Sequence, residues 1–227
     1  MAQDLASIHG TEKDKVNCAF FFKIGACRHG DSCTRNHFQP EISRTILLTH
    51  LYDNPYIHKE ESSMTEDEKK KIKKDFNIFY EDIFNELAKH GEIDEMLVCR
   101  NLSEHMTGNV YVRFRDEKNA SEAMKFLLAR YYAGRMIQPS YSHVTDFKEA
   151  RCKQYESGEC DRHGFCNFLH VIEPNHSLQR KLFERQPLRQ KRIRNEFQLR
   201  EDIPQHSETS TTRIEPDLRS RFENDKH

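Results

Sequence analysis

No apolar run in this chain approaches the ~20 residues that a membrane-spanning helix requires, and its N-terminus lacks the short hydrophobic segment of a secretory signal. Glycine-rich phosphate loops are missing, as are paired carboxylates set for acid–base work and any open metal position, so an enzyme is the least supported class. Tryptophan is absent altogether. Net charge is nearly absent too, at -1 over 227 residues, with a mean hydropathy of -0.90. A soluble intracellular protein is expected, with room for one ordinary domain plus small modules and no membrane partner. In a reducing compartment the seven cysteines are not read as disulfides, which leaves metal binding or burial. The near-neutral total hides an uneven distribution. Residues 44–146 carry 15 basic and 18 acidic side chains, whereas residues 173–200 carry 8 and 3. Local patches, not the total, set nucleic-acid binding.

What is present, twice, is an ordered set of sulfur and nitrogen donors. Cys18-x8-Cys27-x5-Cys33-x3-His37 is followed by Cys152-x7-Cys160-x5-Cys166-x3-His170. Three thiolates and one imidazole fill the tetrahedron that zinc prefers, leaving no position for an activated water, so two structural Zn2+ ions are expected. Segments this short bury too little apolar surface to fold without metal. His29 and His163 lie inside the repeats, but the x3 position makes His37 and His170 the better ligands. The spacing is that of CCCH fingers, which resemble readers of single-stranded RNA. Backbone groups and flat side chains around such a metal meet unstacked bases. Candidates in the first finger are Phe20, Phe22, Arg28, Thr34, Arg35 and Phe38; in the second they are Arg151, Tyr155, Arg162, Phe165 and Phe168. Each aromatic has a second reading, as packing for the metal cluster. Cys99, the odd thiol, reads as a buried small hydrophobe.

Between the fingers the pattern changes to alternating strands and amphipathic helices. Residues 45–52 form a β-branched apolar run. Thr65 and Glu68 make a capping box before Ile72, Phe76, Phe79, Ile83 and Leu87 at helical spacing. Further strands are predicted over 92–100, 108–115 and 137–141, with a second helix marked by Ala120, Ala123, Met124 and Leu127. Strand, helix, strand, strand, helix, strand is the split βαβ plan of an RNA recognition motif, or RRM. The expected class is therefore α+β: a four-stranded antiparallel sheet with two helices, flanked by two small fingers. On the third strand Asn109 stands where a base-stacking aromatic belongs, and Tyr111 remains as the one obvious ring. Sheet-surface RNA binding is weakened accordingly, and another role is sought for this domain.

"ARYYAG" after the second helix suggests that role. Arg130, Tyr131 and Tyr132 occupy the place of an Arg-x-Phe loop, so the domain resembles the U2AF homology motif. That resemblance implies a pocket between the two helices and the loop that accepts a partner's Trp. Glu81, Asp82 and Glu86, supported by Glu92, match the acidic positions that attract basic residues beside it. The alternative is an ordinary solvated helix face.

Taken together, "NCAFFFKIGACRHGDSC", "GNVYVRF" and "VTDFKEARCKQYESGECDRHGFCNFLH" resemble the small subunits of the U2 auxiliary factor, from about residue 7 to 185. The resemblance implies a nuclear pre-mRNA splicing factor that reads the AG at the 3′ splice site through both fingers. It further implies a heterodimer with a large subunit gripped by the central domain, which helps recruit the U2 particle. The expected layout is an N-terminal arm (1–11), finger 1 (12–40), an RRM-like domain (44–146), finger 2 (147–173), a basic helical segment (174–200) and a disordered polar tail (201–227). The chain departs from the family in three ways: Tyr131 stands where the loop Trp is expected, Tyr132 replaces Phe, and Arg-Ser repeats are missing apart from Arg219-Ser220-Arg221. Two other classes remain open: a CCCH regulator of mRNA decay or translation, and a protein-interaction scaffold braced by its fingers.

Overall fold

The computed structural model describes residues 16–186. The expected N-terminal arm, positions 187–200 of the basic segment and the polar tail lie outside those residues. The chain runs α1 (Ala19–Ile24), β1 (Thr45–Leu48), α2 (Glu66–Leu87), β2 (Ile93–Val98), β3 (Val110–Phe114), α3 (Glu117–Leu127), β4 (Tyr131–Tyr132), β5 (Arg135–Met136), β6 (Pro139–Ser142), α4 (Phe147–Ala150), α5 (Lys153–Glu156) and α6, a helix over 176–186. Strands pair antiparallel in the order β2-β3-β1-β6, with Ile46 opposite both Val112 and Tyr141. This is the RRM-like arrangement that the element order predicts. The fourth strand forms two residues later than expected, over Pro139–Ser142. Pro139 begins an edge strand, where a missing N–H breaks no ladder.

Helix α2 starts where the capping box places it: Glu68 N donates to Thr65 Oγ1 at 3.3 Å, and Thr65 N donates to Glu68 Oε2 at 2.7 Å. Its buried stripe of Phe76, Phe79, Tyr80, Ile83, Phe84 and Leu87 packs with Ile46, Leu48, Val110, Val112 and Phe114 on one face of the sheet. Ala120, Ala123 and Leu127 of α3 complete that layer. The first stretch of the basic segment joins it as well. Leu182 is buried in the cluster, Phe183 meets Phe84 edge-on at 4.9 Å, and the Gln186 amide bonds both Ile93 N (2.7 Å) and Ile93 O (3.0 Å). Within the described residues α6 thus braces the central core.

The other face of the sheet is not open. Leu47, Leu97, Cys99 and Tyr111 share one buried cluster with Ile24 and Ala26 of finger 1 and with Phe147, Ala150 and Leu169 of finger 2. Tyr111, the one ring left for base stacking by the sequence reading, is fully buried. All four β1 residues are buried for the same reason, since helices cover one face and fingers the other. Gly25 makes the close approach possible. It caps α1 at φ +80, and a Cβ there would lie 2.8 Å from Ser142 Oγ and 2.9 Å from Tyr111 Cε1.

Candidate nucleic-acid interface and partner pocket

Each finger is a short helix, a tight turn and a returning segment joined back by a single bridge, Asn17 to Asn36 in one and Arg151 to Leu169 in the other, that gather four donors. Cys18, Cys27, Cys33 and His37 form one cluster and Cys152, Cys160, Cys166 and His170 the other, with donor atoms within 4.8 Å of one another. Cys152 Sγ lies 3.8 Å from both Cys160 Sγ and Cys166 Sγ. A tetrahedron with Zn–S bonds of ~2.3 Å has an edge of ~3.8 Å. His37 Nε2 and His170 Nε2 are buried without a hydrogen-bond partner, as expected of atoms whose lone pairs face a metal. Burial alone pushes the Cys27 and Cys152 thiols up to about 11. A dication supplies the charge that holds them as thiolates. These are two structural zinc sites.

The two fingers repeat each other beyond their ligands. Cys18 N donates to Asn36 O (3.1 Å) and Cys152 N to Leu169 O (2.9 Å). Gly25 and Gly158, each two residues before the second cysteine, adopt φ +80 and +78. Three residues after each first cysteine an aromatic ring stacks on the ligand histidine. Phe21 lies on His37 at 4.6 Å and 7°, Tyr155 on His170 at 4.0 Å and 11°. Sequence reasoning passed over Phe21 and set Tyr155 among the base contacts; the shared offset from the first cysteine was the signal for both. Arg100 anchors Tyr155 by donating to its hydroxyl at 3.2 Å while lying over the Tyr56 ring at 4.0 Å.

Finger 2 is fastened by a residue the sequence did not flag. Asn101, fully buried, donates from Nδ2 to Cys166 O (3.0 Å) and Phe168 O (2.9 Å) and accepts from His170 N (2.9 Å). Asn109, the departure from the RRM pattern, plays a comparable structural part. Its Oδ1 accepts from His50 N and its Nδ2 donates to His105 O, both at 3.0 Å.

The fingers touch. Phe20 and Phe168 meet edge-on with centroids 6.4 Å apart. Beside them a cleft of about 560 Å3 is lined by four cationic side chains (Lys23, Arg151, Lys153 and Arg162) and one carboxylate, Glu149, with Cys152, Gln154 and Phe168. Phe20, Arg28, Thr34, Arg35 and Phe38 are exposed on finger 1, and Arg162 and Phe165 on finger 2. Phe22 instead stacks on His143 at 4.3 Å with Phe38 edge-on at 5.3 Å. Arg151 is held by carboxylates of Glu173 (2.8 Å), Glu156 (3.4 Å) and Glu95 (3.8 Å), so most of its charge is already matched.

A second cavity, of about 320 Å3, opens between α2, α3 and the segment 130–137. Asp82, Glu86, Arg130, Tyr131 and Tyr132 all line it. Glu81 lies on the neighbouring part of α2 outside the lining, and Glu92 is paired with Arg115 at 2.9 Å. Where the sequence suggested a loop, β4 and β5 form a two-residue hairpin, with Ala133 and Gly134 at φ +48 and +78. Two successive positive φ values are those of a type I′ turn, whose twist suits paired strands. Tyr132 turns inward against Phe79 (5.6 Å), whereas Tyr131 is 66% exposed. Arg130 lies over the Phe126 ring at 4.3 Å and 3.7 Å from Glu86, which also binds Lys89.

Two Cys3His zinc knuckles seated on an RRM-like sheet define a CCCH zinc-finger protein with a split βαβ core. The family described as zinc finger C-x8-C-x5-C-x3-H type (and similar) matches residues 13–39. Over much more of the chain, the Splicing factor U2AF 23 kDa subunit of Schizosaccharomyces pombe is 47% identical across 182 residues, covering 80% of this chain and 83% of that protein. The Splicing factor U2AF 26 kDa subunit of Homo sapiens is 48% identical across 192 residues, with coverages of 83% and 87%. The Splicing factor U2af 38 kDa subunit of Drosophila melanogaster is 48% identical across 190 residues, covering 82% of this chain and 72% of that protein. The chain belongs to the U2AF small-subunit family, whose members are named as splicing factors and not as enzymes. A solved structure, the RRM3 domain of Gbp2, is 18% identical with a TM-score of 0.31, covering 60% of this chain and 100% of its own. That similarity is too low to add to the topology described above.

Proposed function

We propose that this chain is the small subunit of a nuclear splicing heterodimer. Its paired fingers read the AG at the 3′ splice site, and the cavity between α2, α3 and the hairpin holds the large subunit. The observation that carries this reading is the side-by-side seating of the fingers, with Phe20 against Phe168 and a basic cleft beside them. With Tyr111 buried under the fingers, the sheet offers little surface for stacking, so recognition falls to finger side chains. Arg28 and Arg35 supply charge and flat surfaces, Phe20 and Phe165 supply rings, and Thr34 flanks the dinucleotide. No covalent step is involved. The large subunit, held by Asp82, Glu86 and Tyr132, binds the neighbouring pyrimidine tract and raises the effective concentration of the AG.

Short RNAs ending in UAG or UAC, titrated into the zinc-loaded chain with its large partner, test the scheme. Preference for UAG is expected, and Cys33→Ser and Cys166→Ser are each expected to abolish it. If either variant keeps full preference, two-finger reading is wrong. Selection of UAUU in place of UAG points to the decay class, and no RNA binding at all points to the scaffold class.

A further inference from the structure

The segment 51–56, just past β1, belongs to two places at once. At its start Leu51 lines the cavity beside the hairpin, and its carbonyl accepts from Arg135 of β5 at 3.0 Å. At its end the buried Asn54 donates from Nδ2 to Arg100 O (2.9 Å) and Asn101 O (3.2 Å), and the Tyr56 ring lies 4.0 Å under the Arg100 guanidinium. Between those ends Tyr52 packs on Phe76 (5.3 Å) and Phe79 (4.9 Å) of α2, and its N–H donates to Gly108 O at 2.9 Å. A Cβ at Gly108 would lie 2.0 Å from Tyr52 O, so the segment is wedged in place with no slack.

Arg100 carries the connection from this segment into finger 2. Its N–H donates to His170 O at 2.7 Å, and its guanidinium donates at 3.2 Å to the hydroxyl of Tyr155, whose ring stacks on His170. Glu61 holds the same guanidinium from the other side. A planar cation can stack on one ring and bond two further groups together, which a lysine cannot. The cavity wall thus reaches a zinc ligand through Leu51, Asn54, Arg100 and Tyr155. A close-packed interior passes a displacement along such a line because it has few voids to absorb it.

We infer that Arg100 is a positioning residue for RNA reading. With Asn54 it joins the partner cavity to finger 2, so that a segment seated in the cavity tightens RNA at the fingers without touching it. The inference rests on the RNA and partner assignments above and adds a coupling that is distinct from raised local concentration. Linkage makes such a coupling reciprocal: RNA tightens the partner segment by the same factor. A gain from tethering alone vanishes when the partner segment carries no RNA-binding part of its own.

The test combines the zinc-loaded chain, a short UAG RNA without a pyrimidine run, and a basic, Trp-containing peptide of the large subunit that lacks any RNA-binding domain. Saturating peptide is expected to tighten RNA about fivefold by fluorescence anisotropy, at the lower end of the usual ~5–150-fold range, and RNA to tighten peptide equally. The same peptide with its Trp replaced by Ala is expected to give no gain, which separates the cavity from added charge. Arg100→Gln is expected to bring the factor below about twofold with both zinc ions still bound. Tyr155→Phe keeps the ring on His170 and removes only the hydroxyl; it is expected to do the same, which covers the case that Arg100→Gln misfolds. The coupling is refuted if peptide leaves wild-type RNA affinity unchanged, if the Ala peptide matches the gain, or if the gain persists in either folded variant. A chain that takes the peptide but shows no UAG preference refutes the finger reading, one that ignores the peptide refutes the partner reading, and either result takes the coupling with it.

Discussion

Single residues decide whether the fingers hold. Asn101 is the clearest case, because its amide satisfies three backbone groups of finger 2 that are otherwise buried. Asn101→Ala leaves those groups unpaired at ~1–3 kcal/mol each at the upper limit, so a loss of about 2–4 kcal/mol is expected. Chemical denaturation measures the loss, and a chelator competition should show the second zinc leaving faster than the first. An unchanged midpoint contradicts the clamp. The eight ligands were legible in the sequence because a metal demands a fixed donor set at short spacing. Asn101 was not, since an asparagine after a strand carries no mark of what its amide will meet 65 to 69 residues later. Arg151 shows the same limit. It reads as a free cation in sequence, yet the three carboxylates that hold it come from β2, the end of α5 and position 173.

At the scale of elements, local chemistry was readable and tertiary cover was not. The capping box and apolar stripe of α2 appear where the sequence put them, because both are written within a few residues. The edge strand starts two residues later than expected and ends one later, since β-branched content at 137 competes with hydroxyl-rich 140–142 and only pairing with β1 decides. The hairpin β4–β5 is the element on which partner affinity should turn. Tyr131 stands exposed at the lip of the cavity while Tyr132 forms its wall. Tyr131→Trp enlarges the ring offered to a partner and is expected to tighten binding of a basic, Trp-containing segment of the large subunit; Tyr131→Ala is expected to weaken it by roughly tenfold. Calorimetry on the two variants reads both directions, and equal affinities would remove Tyr131 from the interface.

For the whole molecule the deciding feature is that one buried cluster serves the sheet and both fingers. Metal removal should therefore do more than melt two knuckles. Chelation is expected to expose Leu47, Leu97 and Tyr111, raising binding of a hydrophobic dye and lowering the melting temperature of the central domain. A domain that melts unchanged after chelation would show the cover to be dispensable. Acid should act in the same direction. His90, His105 and His143 are all held below their ordinary value, chiefly by burial. Each is neutral when folded and takes up a proton more readily when unfolded, so stability is full above the ordinary imidazole value of ~6.5 and falls as pH drops below it. Melting temperatures at pH 7.5 and 5.5 should differ, and His143→Asn should reduce the difference. This coupling was the part least visible in the sequence. The alternation of β3 correctly marked Val110, Val112 and Phe114 as a core face, but Tyr111 looked like an exposed ring because nothing local announces a lid arriving from both ends of the chain.

The seating of Ile24 and Leu169 on a common floor also limits what protein engineering can do with these modules. Lifted out and joined by a flexible tether, the pair would keep its metal chemistry but lose the angle that brings Phe20 to Phe168. Moving the paired fingers onto another scaffold therefore means carrying the sheet along, since the fingers and their mount are one part.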